Sequence, residues 1–385
     1  MNRVKIIRST TVPQSLSVFC NGMLKELSNK YEVIGLSSPG KALDEVARRE
    51  GVRTISIPMK RHISPFCDIV SLWRMIIAFW RERPYMVHSM TPKAGLICMI
   101  SAWITRVPIR VHTFTGLVFP TASGIRRNLL KTTDWLTCAC ATHIIPEGEG
   151  VKNDLINHGI TKKPLRVLGY GNVRGVDMEY YSRREEVDKR MNELGLRDDS
   201  LVTFLFVGRI VRDKGINELV AAFSKLLMEH SYIRLLLVGP YEDSLDPISM
   251  ESRTVISNEP RIVSVGHKNG IDLLAYYESS DCFVLPSYRE GFPNTVLEAG
   301  AMGLPSIVTD INGSREIIID GVNGIIVPPH NVESLFSAMK LMVQSRVKRN
   351  AMASNARKLI GERFEQGFVH KCLYEFYDEI MPDSN

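Results

Sequence analysis

Short apolar runs recur along the whole chain, each closed by glycine, proline or small polar residues and each followed by a longer amphipathic stretch. Runs this short, without polar alternation, suit strands buried on both faces of a parallel sheet, and the longer stretches suit crossover helices. In the first half the expected strands are Val4–Ile7, Tyr31–Leu36, Val52–Ile57, Ala141–Pro146 and Leu165–Leu168, with two more that open the stretches 85–95 and 109–116 and end in polar loops. Helices are expected over 43–50, 69–80 and 124–136, with an earlier one carrying Phe19, Met23, Leu24 and Leu27 on one face. In the second half the strands are Val202–Val207, Ile233–Val238, Arg261–Val265, Cys282–Leu285, Ser306–Thr309 and Ile325–Pro328. They alternate with helices over 216–229 and 273–279 and one that starts at Pro293 and stops at Gly303 and Pro305. Three helices over 331–343, 348–363 and 366–380 close the chain.

The alternation predicts an α/β protein with two Rossmann-like, doubly wound parallel-sheet domains. The expected bounds are 1–170 for the first domain, 171–198 for a hinge and linker after Gly169-Tyr170-Gly171, and 199–364 for the second. The last segment, 365–385, carries Phe368, Leu373, Phe376 and Tyr377 to pack back on the first domain.

The stretch 282–305 concentrates the candidate chemistry. A buried strand ends at Pro286, a loop brings Glu290, Gly291 and Phe292, and a helix carrying Asn294, Thr295 and Glu298 follows. Backbone amides at a helix start, at the C-terminal end of a strand, form an anion site, and two flanking carboxylates suit sugar hydroxyls. A second such place follows Val202–Val207, where Gly208-Arg209-Ile210-Val211-Arg212-Asp213-Lys214-Gly215 sets two cations across a loop to converge on one diphosphate. In the first half, the loops after the strands bring Thr11, His88, Lys93, His112 and Thr115 to strand ends, where an acceptor would sit. A histidine at a strand end also serves as a structural residue, so His88 and His112 carry both readings.

Residues 290–329, EGFPNTVLEAGAMGLPSIVTDINGSREIIIDGVNGIIVPP, resemble the donor region of family 4 retaining glycosyltransferases of the GT-B fold, with the E-x7-E pair at Glu290 and Glu298. GRIVRDKG is similar to that family's G-R-x4-K-G diphosphate motif. HSMTPKAG and HTFTGLVFPTASG resemble, less closely, its first-domain loops in bacterial enzymes that extend lipid-linked glycans of capsule, O-antigen or exopolysaccharide.

The resemblance implies two domains facing a central cleft and transfer of a hexose or N-acetylhexosamine from a nucleotide diphosphate-sugar, with a UDP-sugar expected, to a polyprenyl-diphosphate-linked glycan. It implies Arg209 and Lys214 on the diphosphate, with Glu290 on the donor sugar and Glu298 on the ribose. Gly208, Gly291, Phe292, Asn294 and Thr295 would complete the donor site, and anomeric configuration would be retained. Many family members place a catalytic histidine where this chain has Thr115, a departure. No D-x-D pair occurs, so no metal and no cofactor are expected. A glycan phosphorylase lacks support, because no lysine-anchored pyridoxal site is visible. Absence of G-x-G-x-x-G speaks against a dinucleotide oxidoreductase. A non-catalytic subunit that binds glycan lipids is the alternative outside enzymes.

Charge adds an anionic partner. Residues 1–180 hold 25 Lys and Arg against 13 Asp and Glu, and residues 181–385 hold 23 against 29. A basic first half suits a phosphorylated substrate or an anionic membrane surface, and nothing else favours nucleic acid. The 69–80 segment, with Trp73, Ile76, Ile77 and Trp80 beside Arg74, Arg81 and Arg83, reads either as a core helix with basic ends or as an interfacial one. Arg126, Arg127 and Lys131 on the 124–136 helix add a basic patch, anchored by Leu129, Leu130 and Trp135.

At 385 residues, with 44% hydrophobic and 23% charged, the chain suits two globular domains. The start turns charged at once, without a leader pattern, and the apolar stretches fall short of the ~18 residues of a span. A cytoplasmic protein at the inner face of the plasma membrane is expected. Seven cysteines without a C-x-x-C pair fit reduced core thiols, with Cys138-Ala139-Cys140 the one hint of metal.

Overall fold

The apolar runs pair side by side as parallel strands. The computed structural model describes residues 3–244 and 246–382. The chain divides into two units, one of residues 1–175 with 367–385 and one of residues 176–366.

The first unit holds strands β1 (Lys5–Ser9), β2 (Glu32–Ser37), β3 (Arg53–Ser56), β4 (Met86–Met90), β5 (Ile109–Phe114) and β6 (His143–Pro146). They form one parallel sheet in the order β3-β2-β1-β4-β5-β6. The second unit holds β7 (Val202–Val207), β8 (Ile233–Val238), β9 (Ile262–Gly266), β10 (Cys282–Leu285), β11 (Ser306–Thr309) and β12 (Gly324–Val327), in the order β12-β11-β10-β7-β8-β9. Strand order reverses between β1 and β4 in one sheet and between β7 and β10 in the other. In an open parallel sheet the loops leaving the two strands at that point diverge and leave a crevice for a ligand.

The central strands are buried along their full length, as β4, β7, β10 and β11 all are. That follows from helices covering both faces. The last helix, Gln366–Ile380, places Leu373, Phe376 and Tyr377 in the core of the first unit, against residues of β1, β4 and β5. Within the stretch read as linker, Glu185–Glu193 is a helix whose Val187 and Met191 join the core of the second unit.

Four local expectations need correction. The helix carrying Phe19 to Leu27 is two pieces, Pro13–Phe19 and Met23–Leu27, because Gly22 takes φ 75° and turns the chain. Leu165–Leu168 is not a strand: after Pro164, which lacks an N–H, a single bridge joins Leu165 to Ile144. Pro293 precedes its helix rather than opening it, since its ψ of 101° is extended. In the Pro65–Glu82 helix the buried positions are Ser71, Met75 and Phe79, while Trp73 and Trp80 are exposed. Among the described residues no helix is long and apolar enough to cross a membrane.

Candidate active site

In the second unit the site is built on the loops leaving β7 and β10, at the strand-order reversal. Gly208 closes β7, its N–H donating to the Val238 carbonyl at 2.9 Å. The Arg212–Lys214 turn follows and ends at Gly215, with φ 71°. A Cβ there would lie 2.0 Å from the Pro286 carbonyl oxygen, so only glycine lets this turn rest on the end of β10. The Tyr288 N–H donates to the Asp213 carbonyl at 2.9 Å, and Arg289 pairs with the Asp213 carboxylate at 3.2 Å.

This stitching brings Lys214 onto Glu290 as an ion pair, both side chains being about five-sixths buried. The Ser287 hydroxyl donates to the same Glu290 oxygen at 2.8 Å. Arg209 does not share that partner; its guanidinium donates to Glu242, in the loop after β8, at 2.7 Å. The two cations expected on one diphosphate are thus held by different carboxylates.

The Asn294–Ala301 helix follows. Asn294 and Thr295 open it half-buried, and Phe292 turns its ring into the core, 5.4 Å from that of Phe364. Gly291 presents its carbonyl to Gly313, where a Cβ would lie 2.4 Å away. Glu298 is buried and accepts a hydrogen bond from the Tyr277 hydroxyl at 3.1 Å. A helix start, two cations and two carboxylates therefore gather at one sheet edge. The arrangement suits a ligand with an anionic end and a hydroxylated body.

In the first unit the expected residues cluster at the β1–β4 reversal, mostly in closed contacts. The Thr11 hydroxyl lies 2.8 Å from that of Thr91 and accepts from the Ala94 N–H at 3.1 Å, tying the loop after β1 to the helix Pro92–Ile104. Thr91 adopts φ 71°, a strained position for a β-branched residue. Lys93 pairs with Asp68 at 2.7 Å and donates to the His62 carbonyl. Thr115 follows β5, half-buried.

His88 and His112 are each 1% exposed. His88 Nδ1 meets Arg8 at 2.7 Å and the Tyr377 hydroxyl at 2.6 Å, and its Nε2 meets Thr113 at 2.7 Å. His112 Nδ1 meets Ser89 at 2.8 Å, and its ring packs edge-on to Phe114. Burial holds His88 well below the ordinary histidine range and pulls His112 down to about 3. Both rings are neutral parts of the interior.

Residues 17–171 match the family described as Glycosyl transferase 4-like domain, and residues 187–359 match Glycosyl transferases group 1. The capsular polysaccharide biosynthesis glycosyltransferase CapM of Staphylococcus aureus is 31% identical over 387 residues, covering 100% of this chain and 99% of that protein. The chain belongs to the group 1, family-4-like glycosyltransferases. Another relative of this glycosyltransferase is the UDP-Gal:alpha-D-GlcNAc-diphosphoundecaprenol alpha-1,3-galactosyltransferase of Escherichia coli, 29% identical over 324 residues, with 82% of this chain and 81% of that one covered. The crystal structure of Anabaena Alr3699/HepE in complex with UDP superposes with a TM-score of 0.80 at 16% identity, over 98% of this chain and 100% of that one, which establishes the GT-B fold.

Sequence reasoning missed several residues of this glycosyltransferase's candidate site. Ser287 had a local signal, three positions before Glu290. Tyr277, Glu242 and Glu218 had none. Glu218 accepts the Tyr288 hydroxyl at 2.7 Å from a helix 70 residues earlier, Ile216–Glu229, and Tyr288 stacks on His330 at 3.7 Å.

Proposed function

We propose that the second unit binds a UDP-sugar and that the enzyme moves a hexose or N-acetylhexosamine to a polyprenyl-diphosphate-linked glycan of a surface polysaccharide, without metal and with retention. The observation that carries this reading is the Lys214–Glu290 pair at the β7–β10 reversal, beside the Asn294–Ala301 helix start. Lys214 has three N–H donors, so it keeps Glu290 with one and gives the others to the diphosphate. Arg209, nearly half exposed, turns from Glu242 to the same phosphates. Together they neutralise the charge that grows as the bond from C1 to the phosphate oxygen breaks.

Glu290 then holds hydroxyls of the transferred sugar and Glu298 the ribose. The acceptor hydroxyl attacks C1 from the side the diphosphate leaves, and its proton passes to the departing phosphate oxygen. That route needs no histidine, in keeping with Thr115 and with the closed contacts of His88 and His112. The relatives support both donor and acceptor class: a UDP-sugar and a diphosphoundecaprenol glycan for the Escherichia coli enzyme, and bound UDP for the Anabaena protein.

The basic first unit meets the inner face of an anionic membrane. On the Pro65–Glu82 helix Phe66 is 87% exposed and Trp80 72%, with Ile69, Val70 and Trp73 also open to solvent. Arg74 and Arg81 lie exposed among them, and Ile125 is exposed beside Arg126 at the start of the Gly124–Cys140 helix. Solvated aromatics interleaved with arginines suit a headgroup layer. To test the reading, purified protein is incubated with UDP-, GDP- and dTDP-sugars and a polyprenyl-diphosphate-linked acceptor. A glycolipid heavier by one hexose or N-acetylhexosamine from a UDP donor is expected. Nucleotide binding with no product from any donor would favour the non-catalytic subunit instead.

A further inference from the structure

The second unit has a polar cavity at the edge of its sheet opposite the Lys214–Glu290 pair. It measures about 730 Å³ and lies where β7 and β10 begin, lined by Arg183, Asp188, Glu278, Ser280, Asp281 and Arg349 among others. Strand β7 is six residues long, so about 20 Å of sheet, at about 3.3 Å per residue, separates this cavity from the Gly208 end.

Its walls are fixed by the fold. Asp281 accepts from the Thr203 N–H at 2.9 Å and pairs with Arg349 at 3.3 Å, and Arg349 also donates to the Met342 carbonyl at 2.6 Å. Asp188 stands on the Glu185–Glu193 helix and Glu278 ends the Gly270–Glu278 helix.

Glu278 is the telling residue. Its side chain is 8% exposed, and one oxygen meets Arg183 at 3.3 Å. The other, Oε2, is buried without a hydrogen-bond partner. Leaving a buried carboxylate oxygen bare is costly unless a ligand supplies the donor. Burial raises the Glu278 carboxyl above its ordinary range against the lowering pull of Arg183, and Asp188 adds to the rise.

The ligand's character follows from the lining. Four guanidiniums, of Arg183, Arg197, Arg346 and Arg349, face five carboxylates, of Asp188, Asp198, Asp199, Glu278 and Asp281, so neither a phosphate nor an ammonium meets a wall of opposite charge. A hydroxyl satisfies both, donating to a carboxylate and accepting from a guanidinium. We propose that this cavity is a second carbohydrate site, which binds a neutral oligosaccharide and performs no transfer on it. The volume lies within the range of about 300–1,000 Å³ usual for ligand sites.

The test is saturation-transfer NMR on the full-length protein with maltotriose, cellotriose and triacetylchitotriose as probes. Saturation should reach at least one trisaccharide at millimolar concentration, and should persist with uridine diphosphate present and in the Lys214→Ala/Glu290→Ala double variant. Affinity should fall at least about tenfold in Glu278→Leu, which removes the acceptor pair, and in Arg183→Ala, whose exposed side chain is not needed for folding. If Glu278→Leu does not fold, Arg183→Ala decides. No transfer to any probe, displacement by uridine diphosphate, or unchanged affinity in the Glu278 and Arg183 variants would overturn the proposal. Failure of sugar transfer in the double variant bears on the other edge of the sheet and leaves this one standing.

Discussion

Lys214 and Glu290, 76 residues apart in sequence, form an ion pair where the loops leaving β7 and β10 meet. The pair exists because Gly215 lets one turn rest on Pro286 and because Ser287 and Asp213 hold the loop from both sides. In the proposed reaction the two side chains act on one substrate, so their effects are coupled. Lys214→Ala and Glu290→Gln are each expected to lower kcat about a hundredfold or more, and the double variant to cost little beyond the worse single one. Independent, multiplying losses in steady-state kinetics would show that the two side chains act separately and not as one unit on the substrate.

Gly95→Ala offers a test with an unusual sign. Exposed helix-interior Gly→Ala changes stabilise by about 1 kcal/mol, but here the added Cβ would lie 2.3 Å from His112 Cε1. His112 is wedged against Phe114 and bonded to Ser89, so it has no room to yield. A destabilisation of about 1–3 kcal/mol is expected in urea denaturation. A gain in stability would mean that the ring moves freely.

Two buried groups contribute to the pH dependence of stability with opposite signs. His112 titrates at about 3 in the fold because it is buried, against about 6.5 in an unfolded chain. Below pH 6.5 the unfolded state binds the proton and the folded one does not. Its stabilisation is therefore present above about 6.5 and lost as pH falls toward 3. Asp134, pushed up to about 7 by burial, works the other way: it is protonated in the fold, so its cost appears above about pH 4 and reaches its full size above 7. His112→Asn should remove about 1 kcal/mol of the stability lost between pH 7 and 5.5, while Asp134→Asn should make that loss steeper. Chemical denaturation across that interval distinguishes them, and identical slopes in both variants and the wild type would refute the assignment.

The exposed face of the Pro65–Glu82 helix predicts how the protein meets a membrane. Wild type should sediment with vesicles containing anionic lipid, and Trp73→Ser/Trp80→Ser and Arg74→Glu/Arg81→Glu should each weaken that association about tenfold or more. Neither pair is buried, so both variants should unfold with the wild type in thermal denaturation. Equal binding of all three would place the membrane contact elsewhere.

Much of the fold was legible because strands buried on both faces are plain apolar runs. Val202–Val207, Ile233–Val238, Cys282–Leu285 and Ser306–Thr309 have the ends that the sequence predicts. Where the apolar signal was thin or spread around a helix, legibility failed. Met250–Asn258 buries only Ser252 and Ile256, too thin an apolar pattern to mark a helix. On Pro65–Glu82 apolar residues lie on nearly every side, so the pattern did not reveal that the sheet takes Met75 and Phe79 and leaves the tryptophans outside. In the site, the glycines and charged residues stood out by spacing, but their partners did not. Nothing near Arg209 points to Glu242, nor anything near Glu298 to Tyr277, because those bonds are made only when distant strands align.

The most direct measurement is the rate and anomeric configuration of sugar transfer from a UDP-sugar to a polyprenyl-diphosphate-linked acceptor in excess EDTA, comparing wild type with Glu290→Ala. Wild type should form a glycolipid with the donor's own anomeric configuration at a rate EDTA leaves unchanged, and the variant should form it at least about a hundredfold more slowly. Inversion at the anomeric carbon, abolition by EDTA, or an unimpaired Glu290→Ala would contradict it.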